Sequence, residues 1–261
     1  RGLVGSEMCI RDSMKIQLKQ FDVLQSTNVT AVAFAKEGAP EGTVIVAERQ
    51  EGGRGRMHRV WSSPKGGLWF TIILRPQIDP QFVAQVTLLA GVAVVRALRK
   101  LYATEEIMIK WPNDLLLNGK KVCGMLSEMQ LNENGSIDYA IVGIGVNVDL
   151  NPQAFPEDLR NTAASLNASF GKNYTCTAVL DNILQEFASL YRDWLKEGAQ
   201  VILEPWKKLN CTLNRRVFVK DNDEVIFSGE VVAINEAGAI IVRNEEGESQ
   251  SFDFGEISIR Y

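Results

Sequence analysis

The feature that most constrains the fold is a long, almost entirely apolar segment in the first half of the chain. Residues 80–101 read PQFVAQVTLLAGVAVVRALRKL, and this pattern predicts a helix with apolar side chains on nearly every side. Such a helix has to be covered on all of its faces. We therefore expect it to cross the centre of the fold, with strands and other helices packed around it.

Short β patterns stand on both sides of this helix in the chain. TVIVAE at 43–48, GLWFTIIL at 67–74 and EIMIKW at 106–111 predict strands. The pair Asn118-Gly119 lies between two apolar runs, which is a strong signal of a tight hairpin. MQLNENGSIDYAIVGIGVNV, further along, predicts a second hairpin with a wider turn. Strands and helices mixed in this way indicate the α+β class.

The last part of the chain has a different texture. Residues 161–209 are predicted to be mainly helical, and AVLDNILQEFASLYRDWLKEG is the clearest amphipathic run. After residue 212, five short alternating runs are separated by Asp, Asn and Gly turns. This spacing is typical of a small antiparallel β-barrel.

These patterns predict two domains and a tail. Residues 1–13 are mixed and aperiodic, and they are not expected to belong to a domain; Met14 opens a cleaner pattern and is the expected native start. A larger domain is predicted at 14–211 and the small β domain at 212–261.

Composition excludes several classes of protein. The 261 residues carry a net charge of −4, which argues against general nucleic-acid binding. Cys9, Cys123, Cys176 and Cys211, with the lone His58, have no zinc-ligand spacing, so reduced thiols in a cytosolic protein are expected. The sequence has no uninterrupted run of 18 apolar residues, and no transmembrane helix is expected.

The segment QEGGRGRMHRVW at 50–61 is unusual in an acidic chain. Backbone N–H groups of a glycine-rich loop can converge on an anion, and Arg54 and Arg56 add fork-shaped donors that suit carboxylate or phosphate oxygens. Neither the P-loop pattern nor a dinucleotide-binding GxGxxG follows a strand here. Taken alone, the segment is a weak signal of anion binding, and a solvated, flexible basic loop is the favoured interpretation.

Two further clusters strengthen the anion-binding interpretation. KWPND at 110–114 places Lys110 at the end of an otherwise apolar strand, where an ammonium group is costly unless it meets an anion. A surface lysine on an edge strand is the alternative. In VGIGVNVD, Gly143 and Gly145 interrupt a β-branched run, which indicates close approach of a ligand or of another chain segment. Asn147 follows with both a donor and an acceptor.

In order along the chain, STN, GRGR followed by W.SP.GG, KWPND, GKKVCG.L.E and GIGVNV resemble the catalytic core of the biotin protein ligases. The resemblance runs from about residue 17 to 261 and is closest to the single-function form. It implies a mixed-sheet catalytic domain with helices, similar to class II aminoacyl-tRNA synthetases, and a C-terminal SH3-like β-barrel. It also implies ATP and Mg²⁺ as cofactors, a biotin carboxyl carrier domain as partner, and a cytoplasmic monomer or weak homodimer without nucleic-acid or membrane partners.

The resemblance also implies roles for individual residues. Lys110, Arg56 and Asp114 are the expected catalytic residues, with Lys110 stabilising charge at the reacting phosphorus. The expected biotin contacts are Ser26, Thr27, Asn28, Gln50, Arg54, Gly55, Arg56, Lys121 and Gly124. The expected nucleotide contacts are Arg56, Trp61, Lys110, Asn113 and Asn147. The arginine-rich loop is expected to order over the anionic intermediate and to be mobile without it.

Several alternatives stay open at this level. Ser26 is a plausible helix N-cap as well as a ligand contact, Trp61 and Trp111 suit core packing as well as stacking, and Asp114 is either a general base or a turn residue. His58 is given no catalytic role. Few residues precede the first motif, so no DNA-binding domain and no repressor function are expected. A lipoate or octanoyl-protein ligase of similar fold and a non-catalytic biotin sensor are the competing functions.

Overall fold

The computed structural model describes residues 7–8, 14–57, 59–221, 224–253 and 257–260. Two β-sheets, five α-helices and three short 3-10 helices make up this part of the chain. The expectation for His58 lies outside the described residues, as does that for the tail at 1–13 apart from Glu7 and Met8, which form a two-residue strand.

A large mixed sheet forms the framework of the first part of the chain. Its strands run in the order β1-β2-β3-β4-β8-β7-β6-β5. All neighbours are antiparallel except β2 and β3, which are parallel. The strands are β1 (Glu7–Met8), β2 (Ile16–Leu24), β3 (Thr43–Gln50), β4 (Leu68–Leu74), β5 (Ile107–Lys110), β6 (Asp114–Leu117), β7 (Lys120–Leu131) and β8 (Ile137–Val146). This arrangement confirms the predicted α+β class.

The central apolar helix is covered as its sequence requires. The helices are α1 (Thr27–Lys36), α2 (Gln85–Tyr102), α3 (Leu166–Phe170), α4 (Cys176–Glu197) and α5 (Gln200–Leu209). Of the 18 residues of α2, 14 are buried, and α2 packs on α4, α5 and strands of the large sheet. Among the described residues, the segment Pro80–Tyr102 is long and apolar enough to cross a membrane, but 72% of its most apolar window is buried inside the protein.

A second sheet is formed by the C-terminal part of the chain. Five antiparallel strands follow the order β12-β11-β10-β9-β13, and their number matches the five alternating runs of the sequence. They are β9 (Arg216–Asp221), β10 (Glu224–Ile234), β11 (Ile240–Arg243), β12 (Ser249–Phe252) and β13 (Ile257–Arg260).

The two sheets meet at a buried seam beside the end of β5. Trp111 is completely buried; its indole N–H donates to the carbonyl of Gly238 (3.1 Å), and its backbone N–H donates to the hydroxyl of Thr212 (2.9 Å). The side-chain amide of Gln85 on α2 donates to the carbonyl of Glu236 (2.6 Å). Trp111 therefore belongs to the core between the two parts, which is the packing alternative that the sequence left open.

The tight turn predicted from Asn118-Gly119 joins β6 to β7. Both residues have positive φ, 49° and 81°, as a two-residue hairpin turn between twisted strands requires. The hairpin brings Asp114 near its start and Lys121 after its turn into direct contact. The local turn chemistry thus positions two charged side chains of the site.

Candidate active site

One cleft of about 900 Å³ gathers the polar motifs of the sequence. Its walls come from the start of α1, the loop after β3, the ends of β5 to β8 and the chain entering the C-terminal sheet. All of the predicted site residues line it: Ser26, Thr27, Asn28, Gln50, Arg54, Gly55, Arg56, Trp61, Lys110, Asn113, Asp114, Lys121, Gly124 and Asn147. Segments that are far apart in the sequence therefore converge on a single site.

A polar network occupies one end of the cleft, where α1 begins. The Gln50 carbonyl oxygen accepts from the backbone N–H of Thr27 (2.7 Å), and the Gln50 amide donates to the hydroxyl of Ser63 (2.8 Å). The Thr71 hydroxyl, fully buried on β4, lies 2.8 Å from both the Thr27 hydroxyl and the Asn28 side-chain carbonyl. The polar groups of the STN motif are thus held by β3 and β4.

Proton counting orders this network. A hydroxyl has one proton, so Thr71 cannot donate to both of its neighbours. Both 2.8 Å contacts are hydrogen bonds if the Thr27 hydroxyl donates to Thr71 and the Thr71 hydroxyl donates to the Asn28 side-chain oxygen. The Thr27 hydroxyl then has no proton left for the Gln50 side-chain oxygen, which lies farther away at 3.1 Å. In this arrangement the Thr27 oxygen keeps lone pairs that can accept from a ligand.

Asn28 is fixed in one orientation. Its amide nitrogen donates to the carbonyl of Leu126 (3.2 Å) and to the carboxylate of Glu128 (3.0 Å), so both amide protons are used. Gly143 makes room for this side chain, because a Cβ at that position would stand 1.9 Å from the Asn28 oxygen. Asn28 can therefore offer a ligand only its carbonyl oxygen.

Ser26 precedes α1 at the N-cap position, with extended φ of −158° and ψ of 135°. Its side chain makes no capping hydrogen bond, although the residue is buried in the cleft wall. Of the two roles weighed from the sequence, capping by the hydroxyl is not observed. The hydroxyl is left as a polar group at the same end of the cleft as Thr27 and Asn28.

The Trp61 ring lines the cleft and packs against two glycines, Gly124 and Gly145. A Cβ on Gly124 or Gly145 would stand 2.8 Å and 2.6 Å from its indole ring. The ring meets Trp69 edge-on at 6.3 Å, and the ammonium of Lys121 lies 4.8 Å from the ring centroid. Its indole N–H is buried and has no hydrogen-bond partner among the described residues. Close ring packing explains these two glycines.

The arginine-rich segment folds back on itself as a short hairpin over the cleft. Arg54 pairs with Val60, and the backbone N–H of Gly55 donates to the carbonyl of Arg59 (2.7 Å). The Arg56 guanidinium lies 3.5 Å from the Asn113 side-chain oxygen. Burial lowers the pKa of Arg56, and the nearby Asp114 carboxylate opposes that shift. The loop thus directs a partly desolvated cation at the cleft; its mobility without ligand stays a prediction.

A close ion pair lies on the β6–β7 hairpin. The Lys121 ammonium is 2.5 Å from an Asp114 carboxylate oxygen, and their side chains are 33% and 23% exposed. Lys110 is opposite Asp114 in the backbone register of β5 and β6, and it also lines the cleft. Lys121 is therefore in direct contact with the Asp114 carboxylate, while Lys110 and Arg56 line the same cleft.

The two asparagines predicted to contact nucleotide, Asn113 and Asn147, make hydrogen bonds to backbone carbonyls of neighbouring segments. The Asn113 amide donates to the carbonyl of Met125 (2.6 Å). The Asn147 amide donates to the carbonyls of Lys121 (3.3 Å) and Ala164 (3.0 Å). Their amide protons are largely used in shaping the cleft. Nucleotide contact through their carbonyl oxygens stays a prediction.

Sequence reasoning missed three residues of the site. Thr71 interrupts the apolar run LWFTIIL, and this one hydroxyl at a buried strand position was a usable signal. Glu128 closes the motif GKKVCG.L.E but was given no role. Arg215 enters the cleft from the start of the C-terminal part, and no local pattern points to it.

Comparisons with known proteins agree with this geometry. The Biotin/lipoate A/B protein ligase family matches residues 20–147, and the Biotin protein ligase C terminal domain matches residues 212–260. The bifunctional ligase/repressor BirA of Bacillus subtilis is 39% identical over 93% of this chain and 75% of its own length. The biotin–[acetyl-CoA-carboxylase] ligase of Paracoccus denitrificans is 31% identical over 85% of this chain and 92% of its own.

A solved structure shows the same fold. A biotin protein ligase from Aquifex aeolicus, in complex with biotin and ATP, superposes with a TM-score of 0.78. It is 28% identical to this chain, and the match covers 93% of this chain and 98% of the other. The similarity therefore extends over both sheets.

Proposed function

The chain belongs to the biotin protein ligase family, and we propose that it activates biotin with ATP and then transfers the biotinyl group to a lysine of a biotin carboxyl carrier domain. The observation that carries this proposal is the composition of one cleft. An acceptor-rich polar pocket at one end and a group of cations at the other are the two features that the reaction requires.

The polar end suits the ureido ring of biotin. That ring carries two N–H donors and one carbonyl acceptor. The pocket offers the Asn28 carbonyl oxygen as an acceptor, because both Asn28 amide protons are used, and the Thr27 oxygen as a second acceptor. The Ser26 hydroxyl, which makes no capping hydrogen bond, is available as a donor. Few, precisely placed polar groups of this kind give a ligand pocket its specificity.

The cationic end suits the first half-reaction. A biotin carboxylate oxygen attacks the α-phosphorus of ATP; a new P–O bond forms, the bond to the β-phosphate oxygen breaks, and pyrophosphate leaves. Both reactants are anions, so cations fixed in advance lower the barrier. We assign Arg54 and Arg56, both in the arginine-rich loop, to the biotin carboxylate and the phosphates. Lys121 is assigned to the carboxylate or the acyl-adenylate, and Lys110 to the reacting phosphate.

In the second half-reaction the carrier lysine attacks the acyl carbon of biotinyl-AMP. The C–N bond forms, the C–O bond to AMP breaks, and the amine loses a proton. A lysine with an ordinary pKa near 10.4 is almost entirely protonated at neutral pH, so an acceptor for that proton is needed. Asp114 is a candidate, but its contact with Lys121 supports a role in positioning that cation.

Mg²⁺ is proposed to enter as part of the substrate MgATP. Among the described residues, no three His, Cys, Asp or Glu side chains form a cluster that could hold a metal ion. Mg²⁺ usually binds through substrate phosphates and one or two carboxylates. The phosphates of ATP would therefore supply most of its ligands here.

The competing functions fit the site less well. Lipoate and octanoate carry no ureido group, so the acceptors of Thr27 and Asn28 would be left without donors. The match of residues 212–260 to the C-terminal domain of biotin protein ligases also favours biotin. A sensor without turnover needs one cation for the biotin carboxylate, so the presence of Arg56, Lys110 and Lys121 in one cleft favours a reaction with ATP.

The remaining aspects of the proposal concern context. We assign the catalytic domain to 14–211 and the small β domain to 212–261, supported by the two separate sheets. The carrier is proposed to belong to acetyl-CoA carboxylase or a related carboxylase. A cytoplasmic monomer or weak homodimer without membrane partners is also proposed. The net charge of −4 supports the further proposal that nucleic acid is not a partner.

One incubation tests the function. The protein is mixed with labelled biotin, MgATP and a biotin carboxyl carrier domain, and both pyrophosphate and protein-bound label are measured. Pyrophosphate release with label on the carrier lysine is the expected result. Label transfer from lipoate in place of biotin, or biotin binding without pyrophosphate release, would contradict the proposal.

A further inference from the structure

Glu128 on β7 holds together two parts of the cleft that have separate tasks. One of its oxygens accepts from the Asn28 amide (3.0 Å), and both oxygens lie 3.4 Å from the guanidinium of Arg54. Asn28 belongs to the polar end of the cleft and Arg54 to the arginine-rich loop. A single carboxylate therefore contacts both the ring pocket and the loop.

On the pocket side, Glu128 sets the orientation of an amide. The Asn28 nitrogen has two acceptors, the Leu126 carbonyl and the Glu128 carboxylate, and the Asn28 oxygen is directed at Thr71 and Gly143. A hydrogen bond to a charged partner is stronger than a neutral one. Glu128 thereby stabilises the orientation in which Asn28 presents only an acceptor to the ligand.

On the loop side, the contact is weak enough to be exchanged. The side chains of Arg54 and Glu128 are 47% and 37% exposed, and their 3.4 Å separation is long for a charged pair. Exposed pairs of this kind contribute at most about 1 kcal/mol. A ligand carboxylate or phosphate that reaches Arg54 can therefore replace Glu128.

We propose that Glu128 is a positioning residue with two roles: it fixes the acceptor face of Asn28, and it holds Arg54 at the cleft until the ligand's anionic group takes its place. The proposal rests on the function proposed above. The two roles have opposite consequences for binding, because the first favours biotin and the second competes with the ligand for Arg54.

Two substitutions separate these roles. Glu128→Ala removes both contacts, whereas Glu128→Gln keeps an acceptor for Asn28 and loses only the charge facing Arg54. Glu133→Gln is the matched control, because it makes the same charge change in the exposed turn between β7 and β8. Biotin affinity without ATP and affinity for a non-hydrolysable biotinol-adenylate are measured by titration calorimetry, with thermal unfolding to confirm that each variant is folded.

We expect Glu128→Ala to weaken biotin binding about tenfold, the effect of losing one charged hydrogen bond. Glu128→Gln should restore biotin affinity to within about threefold of wild type. It should also bind biotinol-adenylate up to about fivefold more tightly, because no competing carboxylate has to be displaced. A residue that only maintained the fold would weaken both ligands in both variants.

The result distinguishes this role from the function itself. A wild-type protein that binds no biotin would overturn both. Normal wild-type binding together with unaffected biotin binding by Glu128→Ala, or with equal losses in the Ala and Gln variants, would overturn the positioning role alone. A loss of biotinol-adenylate affinity in Glu128→Gln that equals or exceeds its loss of biotin affinity would refute the exchange of Arg54.

Discussion

Replacing Gly143 with alanine is a stringent test of the ring pocket. The new Cβ would stand 1.9 Å from the Asn28 side-chain oxygen, 2.8 Å from its carbon and 3.1 Å from its nitrogen, whereas ordinary contact begins near 3.4 Å. Gly143 lies in the middle of β8, between β4 and β7, so the strand cannot withdraw easily. Asn28 has to move instead.

The magnitude follows from the contacts of Asn28. Its movement would break or weaken three hydrogen bonds, to Leu126, Glu128 and Thr71. At about 0.5–1.5 kcal/mol each, the expected loss in the free energy of unfolding is about 2–4 kcal/mol. Biotin would lose an acceptor as well as space, so we expect its affinity to fall about 100-fold, equivalent to about 2.8 kcal/mol.

Titration calorimetry with biotin and thermal unfolding measure both effects. Gly91→Ala is the control, because the nearest atom to a Cβ there is 3.6 Å away and alanine stabilises a helix interior by about 0.5–1 kcal/mol relative to glycine. That variant should bind biotin as the wild type does. Wild-type biotin affinity in Gly143→Ala would refute the assignment of the ring pocket to Asn28.

Three further variants test the charged end of the cleft. Lys110→Ala should slow pyrophosphate release about 10²- to 10³-fold with little change in biotin affinity, and normal release in a single-turnover assay would exclude its role at the phosphorus. Arg56→Gly should let biotinyl-AMP escape and label the lysines of added serum albumin; a variant that makes biotinyl-AMP but leaves albumin unlabelled would contradict this. Asp114→Asn removes the partner of Lys121 and should slow both half-reactions and lower the melting temperature. A defect confined to transfer from preformed biotinyl-AMP, with partial recovery at high pH, would instead identify Asp114 as the general base.

Local patterns predicted the elements of this fold well. The apolar helix, the Asn118-Gly119 turn and the five C-terminal strands all follow from periodicity and turn chemistry, which act over short stretches of chain. The two-residue strand at Glu7–Met8 did not, because the surrounding tail carries no periodic signal.

Sequence motifs predicted part of the candidate site. The residues that join the site only through tertiary contacts could not be predicted. The motifs placed Asn28, Arg56 and Lys110 in one cleft. Glu128 was missed as a link because its importance lies in two partners far away in sequence, Asn28 and Arg54. The sequence also could not decide between core packing and ligand stacking for Trp111. The acceptor of its indole N–H is the carbonyl of Gly238, which is 127 residues away in the sequence.

The seam around Trp111 has a consequence for how such chains can diverge. Lys110 immediately precedes Trp111, which donates hydrogen bonds to Thr212 and Gly238 in the C-terminal part. The domain boundary predicted from the sequence at 211/212 therefore does not separate two independently packed cores. A C-terminal part taken from another protein would have to reproduce the contacts with Trp111, because they hold the end of the strand that carries Lys110. We therefore expect exchange at 211/212 to disturb the catalytic cleft unless both sides of the seam are exchanged together.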